Sequence, residues 1–158
     1  MSTAPHAAVI GIGNSFRRDD GVGPAVVTAL DGDCAGVRVL TCAAEPAAIL
    51  DACDGAALAV LVDAAVGTRP GRVSVCGLDD LAPSRPMSSH ELSLHQTFEL
   101  GRALGRAPRS VVVVSVGVAD TGHGRGLSPS VFAALPEAVR VVRAVLAEQI
   151  EESADQQA

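Results

Sequence analysis

Tryptophan and tyrosine are absent from this chain, and phenylalanine occurs only three times. A core without large aromatics must be built from Ala, Val, Leu and Ile, which suits a parallel sheet packed by helices of small residues. Basic residues are few, 12 against 18 acidic ones, for a net charge of −6 and a pI ≈ 5.1. Nucleic-acid binding needs a basic face, so this balance argues against that class of partner. No apolar run approaches the ~20 residues of a membrane span. Residues 1–6 lack a positive region followed by an apolar one, so no signal peptide is expected and the expected location is the cytoplasm. Cys34, Cys42, Cys53 and Cys76 form no C-x-x-C pair. In a reducing compartment they read as buried thiols rather than ligands or disulfides.

What is present is one stretch around which the rest is arranged, Val9 to Pro24, reading V-I-G-I-G-N-S-F-R-R-D-D-G-V-G-P. Residues 7–12 are a short apolar run rich in β-branched side chains, the pattern of a buried strand. Gly11 and Gly13 permit a sharp exit from it. Gly23-Pro24 opens a helix, where proline's missing N–H costs nothing. Between them lies the charged loop Arg17-Arg18-Asp19-Asp20, at the carboxyl end of the first strand. Ligands bind at that end in open α/β sheets.

The 158 residues allow a single domain, expected over residues 1–150. Residues 151–158 are polar and unpatterned and are expected to be a disordered tail. Helices are predicted over 24–30 and 47–53, and strands over 37–42 and 58–62. The last is almost wholly apolar, as for a strand buried on both faces, and stops at Asp63. Residues 72–76 alternate as a half-exposed strand. The turn before them, Gly67 to Gly71, is too short for a parallel crossover, so strand four is predicted antiparallel, at or near an edge. Ser88 followed by Glu91 forms a capping box, placing His90 in the first turn of a third helix that ends near Gly105. Leu94, Phe98 and Gly101 form its core-facing stripe. Residues 111–118 are the most apolar segment and read as a central strand. A glycine-rich loop with His123 follows. Ser128-Pro129 is predicted to cap a short turn, and Pro136 to restart a helix to about residue 150, with Leu135, Val139, Val142 and Leu146 facing inward.

Asp20, Asp63 and His90 fall at element ends on one side of this sheet. Two carboxylates and an imidazole suit a divalent metal site with open positions for a substrate ligand. Each residue has a plainer reading. Asp20 alone would complement a helix dipole, worth ~0.3–1 kcal/mol; Asp63 would cap a turn, and His90 would simply start a helix. Gly11-Ile12-Gly13 is not a dinucleotide fingerprint, because Phe16 stands where the third glycine belongs. There is no G-x-S-x-G elbow, no phosphate-binding loop and no convincing Cys–His pair. His95 and His123 read as surface residues.

Gly11-Ile-Gly-Asn14, Asp19-Asp20-Gly-Val-Gly23, Val62-Asp63-Ala64, Ser88-Ser-His90-Glu-Leu92 and Gly126-Leu-Ser-Pro129 occur in that order. Together they resemble the maturation endopeptidases of nickel–iron hydrogenases, over about residues 7–148. The resemblance implies a three-layer α/β/α sandwich with a five-stranded mixed, mostly parallel sheet. It implies that the C-terminal extension of a hydrogenase large-subunit precursor is removed after nickel insertion. It also implies that Asp20, Asp63 and His90 contact nickel carried by that precursor, with no permanent cofactor. Either an aspartate acting as general base or the metal polarising the scissile carbonyl would activate the attack. A non-catalytic metal-reading or chaperone-like module is the alternative. Arg17 and Arg18, Ala43 to Pro46, and Ala119-Asp120 depart from the family's usual pattern and bear on which hydrogenase is the partner.

Overall fold

Six consecutive buried residues make β1 (Ala7–Ile12), and Ile10 and Ile12 have no exposed surface at all. A strand so apolar on both faces needs a layer of helices on each side. The computed structural model, which describes residues 7–30, 36–78 and 89–157, supplies both layers. After β1 come α1 (Val22–Leu30), β2 (Val37–Cys42), α2 (Pro46–Ala52), β3 (Leu58–Ala65) and β4 (Val73–Gly77). They are followed by α3 (Ser89–Ala103), β5 (Ser110–Gly117) and α4 (Pro129–Gln157). The sheet order is β2-β1-β3-β5-β4. β1, β2, β3 and β5 are mutually parallel, and β4 runs antiparallel to β5 at an edge, as the length of the turn before it predicts.

Strand alternation sends Val9, Val60, Val62, Val114 and Val116 to one face, against Val22, Val26 and Leu30 of α1 and Val131, Ala138, Val142 and Leu146 of α4. Ile10, Ile12, Leu61 and Val113 go to the other, against Ile49 and Leu50 of α2 and Leu94 and Phe98 of α3. A Cβ on Gly101 of α3 would stand 2.7 Å from Cδ2 of Leu50, so a larger residue there would be met by a shift of that flexible side chain. Cys53 is buried and Cys42 and Cys76 are partly buried, while Cys34 lies outside the described residues. Among the described residues no helix is long and apolar enough to cross a membrane.

Several boundaries differ from the sequence pattern. Asp63 is inside β3 rather than at its end, because β3 stays paired with β5 as far as Ala65 opposite Gly117. β5 is interior, but the middle place belongs to β3. α1 begins two residues before Pro24, which remains in the first turn where its missing N–H is harmless. Ser128-Pro129 and the segment after Pro136 form one helix, α4, instead of a turn and a restart. Proline at 136 forfeits one backbone bond, to Phe132 on an exposed flank, while Val131, Ala134 and Ala138 are buried on both sides of it. Core packing holds the segment helical through the defect. The backbone also stays helical through Gln157, where a disordered tail is predicted. Glu, Gln and Ala are good helix formers and extend a helix already nucleated by packing. Ser88, the expected cap of α3, lies outside the described residues.

Candidate active site

The chain passes from β1 outward to β2 through α1 on one face, then returns past β1 to β3 through α2 on the other. The connections therefore leave the sheet in opposite directions between β1 and β3. Such a reversal opens a crevice at the carboxyl ends of the strands, where α/β proteins bind ligands. One of the three candidate residues lies in β3, and a second lies in the turn that follows β1.

Asp63 belongs to β3 itself and is only 4 % exposed. Register places it opposite Ser115, one residue beyond the Gly11–Val62 pair, and so level with Ile12 and with Cys42 beyond it. Its Oδ1 accepts a hydrogen bond from the N–H of Ala64, 2.9 Å away. The electrostatics agree with this row. Burial pushes the Cys42 thiol up from its ordinary value, and the negative charge of Asp63 pushes it further. Cys42 therefore stays protonated and offers no thiolate nucleophile beside the acids.

Asp20 comes from the connection after β1. Residues Arg18–Gly21 form a 3₁₀ turn leading straight into α1. Asp20 is half-buried, and its Oδ2 accepts the N–H of Asn14 at 2.9 Å, folding the turn back over the end of β1. Gly13 makes this possible: its φ is +143°, and a Cβ there would fall 2.0 Å from the Asp20 carbonyl oxygen. Gly23 does the same at the start of α1, where a Cβ would meet the Val62 carbonyl at 2.5 Å. These two glycines let the acid-bearing turn and the helix press onto the ends of β1 and β3.

His90 lies in the first turn of α3. α3 leads by a short link into the amino end of β5 and packs Leu94 and Phe98 on the face that Asp63 shares with Leu61. The backbone of its first turn is therefore placed over the carboxyl end of the sheet. The His90 side chain lies outside the described residues, and among those that are described no three His, Cys, Asp or Glu side chains cluster closely enough to hold a metal ion. His123 is exposed, and His95 is partly exposed with Nδ1 3.6 Å from Glu99.

Asp19 was legible only as one charge of a loop, yet it is fully buried. Its Oδ2 accepts the N–H groups of Ala119 and Asp120, both at 2.9 Å, and the Ser128 hydroxyl at 2.8 Å. Its Oδ1 accepts the Ser128 N–H at 2.6 Å. Burial by itself would raise this carboxyl, but the bonds from Ser128, Asp120 and Ala119 outweigh it and hold the group below the ordinary carboxylate range. A second set of backbone bonds joins the same two loops: Asp19 N–H to Asp120 O, Arg18 N–H to Gly124 O and Gly124 N–H to Phe16 O, each 2.9 Å. Arg125 stacks on the Phe16 ring at 4.6 Å, and Arg18 stands 3.6 Å from the Asp120 carboxylate. No pattern near Asp19 announced this, because its partners lie about a hundred residues downstream.

A cavity of ≈ 210 Å³ adjoins the turn, lined by Ser15, Arg18, Gly21, Thr28 and Leu127 among others. A larger one, ≈ 510 Å³, lies between the start of β4 and α4 and includes neither candidate acid.

Fold and site together define a doubly wound α/β domain with two carboxylates at its switch-point crevice. Residues 26–145 match the model of the hydrogenase maturation protease family, about three quarters of the chain, and the protein belongs to that family. The matched stretch contains Asp63 and His90; Asp20 precedes it. Among solved structures, the hydrogenase maturating endopeptidase HybD from E. coli is 25% identical with a TM-score of 0.77, covering 90% of this chain and 93% of its own. A hydrogenase 2 maturation peptidase from a Thaumarchaeota archaeon is 26% identical, with a TM-score of 0.64 and coverage of 89% and 97%. The [NiFe] hydrogenase maturation protease HybD from Thermococcus kodakarensis, 21% identical with a TM-score of 0.72 over 88% and 97%, shares the fold. No curated protein sequence matches.

Proposed function

We propose that this protein is the endopeptidase that removes the C-terminal extension of a nickel–iron hydrogenase large-subunit precursor once nickel has been inserted. On this reading Asp20, Asp63 and His90 contact the nickel that the precursor carries. The observation that supports it is the placement of Asp63 near the carboxyl end of β3 and of Asp20 in the turn that follows the neighbouring strand β1, within a maturation protease fold. Carboxylate and imidazole are hard or borderline ligands, too few here for a closed structural site. They suit an ion whose remaining ligands belong to the substrate.

The difference in exposure divides the work of the two acids. Asp63 is almost sealed from solvent, while Asp20 is half-buried with one oxygen engaged by Asn14. Water therefore reaches Asp20 more readily. Asp20 takes a proton from the attacking water as general base while the water oxygen bonds to the scissile carbonyl carbon. The tetrahedral adduct then collapses with cleavage of the C–N bond, and Asp20 returns the proton to the leaving amine. Asp63 and His90 hold the precursor's ion and so fix the position of the peptide bond.

The test is to incubate the protein with nickel-loaded and nickel-free precursor and to weigh the products by mass spectrometry. Loss of the tail from the loaded precursor alone supports the proposal, and Asp20→Ala, Asp63→Ala and His90→Ala should each prevent it. A stable complex with uncut loaded precursor would indicate a binding module instead. Elemental analysis of the isolated protein should find no stoichiometric nickel; one ion per chain that survives a mild chelator would mean a resident cofactor.

A further inference from the structure

Asp19 takes no part in the chemistry proposed above, yet it is a fully buried charge one peptide away from Asp20. Four donors converge on its two oxygens, and all four come from residues 119, 120 and 128. The turn that carries both acids is four residues long, and its two buried residues are Asp19 itself and Gly21, which has no side chain to pack. It also contains Arg18 at φ 49°, a left-handed conformation that a non-glycine residue keeps only when its surroundings impose it.

We propose that Asp19 is a positioning residue: its buried carboxylate clamps the loop of residues 119–128 onto the 3₁₀ turn, and the clamp fixes where Asp20 meets the precursor. Both oxygens are used as acceptors, so the site requires a carboxylate. An amide would offer one acceptor and would turn an NH₂ donor toward other donors. With the clamp in place, the Asp20 backbone is held by its neighbour Asp19 and lies close against Gly13, while the Asn14 N–H orients the carboxylate. This inference rests on the proposed proteolysis for its kinetic consequence but not for the clamp itself.

Asp19→Asn, which keeps the shape of the side chain, is the first variant to make. Amide hydrogen exchange should accelerate about tenfold or more in residues 16–21 and 119–126, while β1 and β3 keep wild-type protection. On nickel-loaded precursor, kcat should fall by about tenfold to a hundredfold with KM little changed, as for a misplaced catalytic group. Rates are compared at a low temperature where both proteins are fully folded by circular dichroism. Asp19→Glu, with the charge but a longer reach, should not restore the rate. Unchanged exchange in both loops overturns the clamp. Faster loop exchange with a wild-type kcat overturns the positioning role, as does a loss of rate that disappears once both proteins are equally folded. Were the wild type to leave loaded precursor uncut, the proposed function would fall, and the exchange measurement would still decide whether the clamp exists.

Discussion

The face of the sheet under α1 and α4 is packed with aliphatic side chains from end to end, Val9, Val60, Val62, Val114 and Val116 against Val26, Val131 and Val142. The face under α2 and α3 begins in the same way, with Ile10, Leu61 and Phe98, but changes toward the carboxyl ends of the strands. There Asp63 follows Leu61 by two residues on the same side of β3, and Cys42 stands two strands away in the same row. One face is given wholly to stability. The other combines a core with a buried carboxylate, a group that burial penalises unless it is hydrogen-bonded or paired.

The largest effect expected from this contrast is on activity. Asp63→Asn should reduce cleavage of nickel-loaded precursor by more than ~10²-fold, in the range typical of lost acid–base or metal-contact groups, while circular dichroism stays native. A wild-type rate would make the difference between the faces one of packing alone. Two residues earlier, Leu61→Ala should do the reverse, lowering stability in urea by ~2–5 kcal/mol through a cavity and altering cleavage only through loss of folded protein. On the opposite face Val142→Ala should cost about 1.5–3 kcal/mol, since fewer buried groups are removed, with kcat unchanged. If Val142→Ala lowered kcat while folded, the faces would not be functionally separate.

The smallest effect is a pH dependence on the α2 side. Burial, with a lesser push from Cys42, raises the Cys53 thiol from 9.0 to about 12. The folded protein keeps that proton while the unfolded chain releases it near the ordinary value. Stability from this group is therefore complete below about pH 9 and declines as the pH rises toward 12. The thermal midpoint should fall less steeply between pH 9 and 11 in Cys53→Ala than in the wild type. In native protein at pH 8, Cys53 should resist thiol reagents.

Much of this architecture was legible because it follows from local pattern. The boundaries of β1 and β2 coincide with their β-branched apolar runs. The direction of β4 follows from a turn too short to cross the sheet. Pro136 misleads for the opposite reason. It breaks the local rule, but Val131 and Ala138 bury themselves on either side, and packing outweighs one lost backbone bond. Asp63 likewise marks the end of an apolar run without ending the strand, because β5 continues to pair with it. His90 was placed at the start of α3 by its capping pattern, and its backbone is found in that first turn.

By itself the sequence determined the layers of this protein, since the period of its apolar residues dictates which segments are strands and which are helices and how deeply each is buried. It also determined the glycines that allow a turn to close over β1. Only the tertiary structure decided which charges matter and how. Asp19 and Asp20 are identical neighbours in the chain, yet one is sealed beneath residues 119–128 and the other is left half-open at the crevice. The environment of a carboxylate is set by whichever groups the fold brings to it. Here those groups are the N–H and hydroxyl donors of residues about a hundred positions away for Asp19, and the N–H of Asn14 in the loop just past β1 for Asp20.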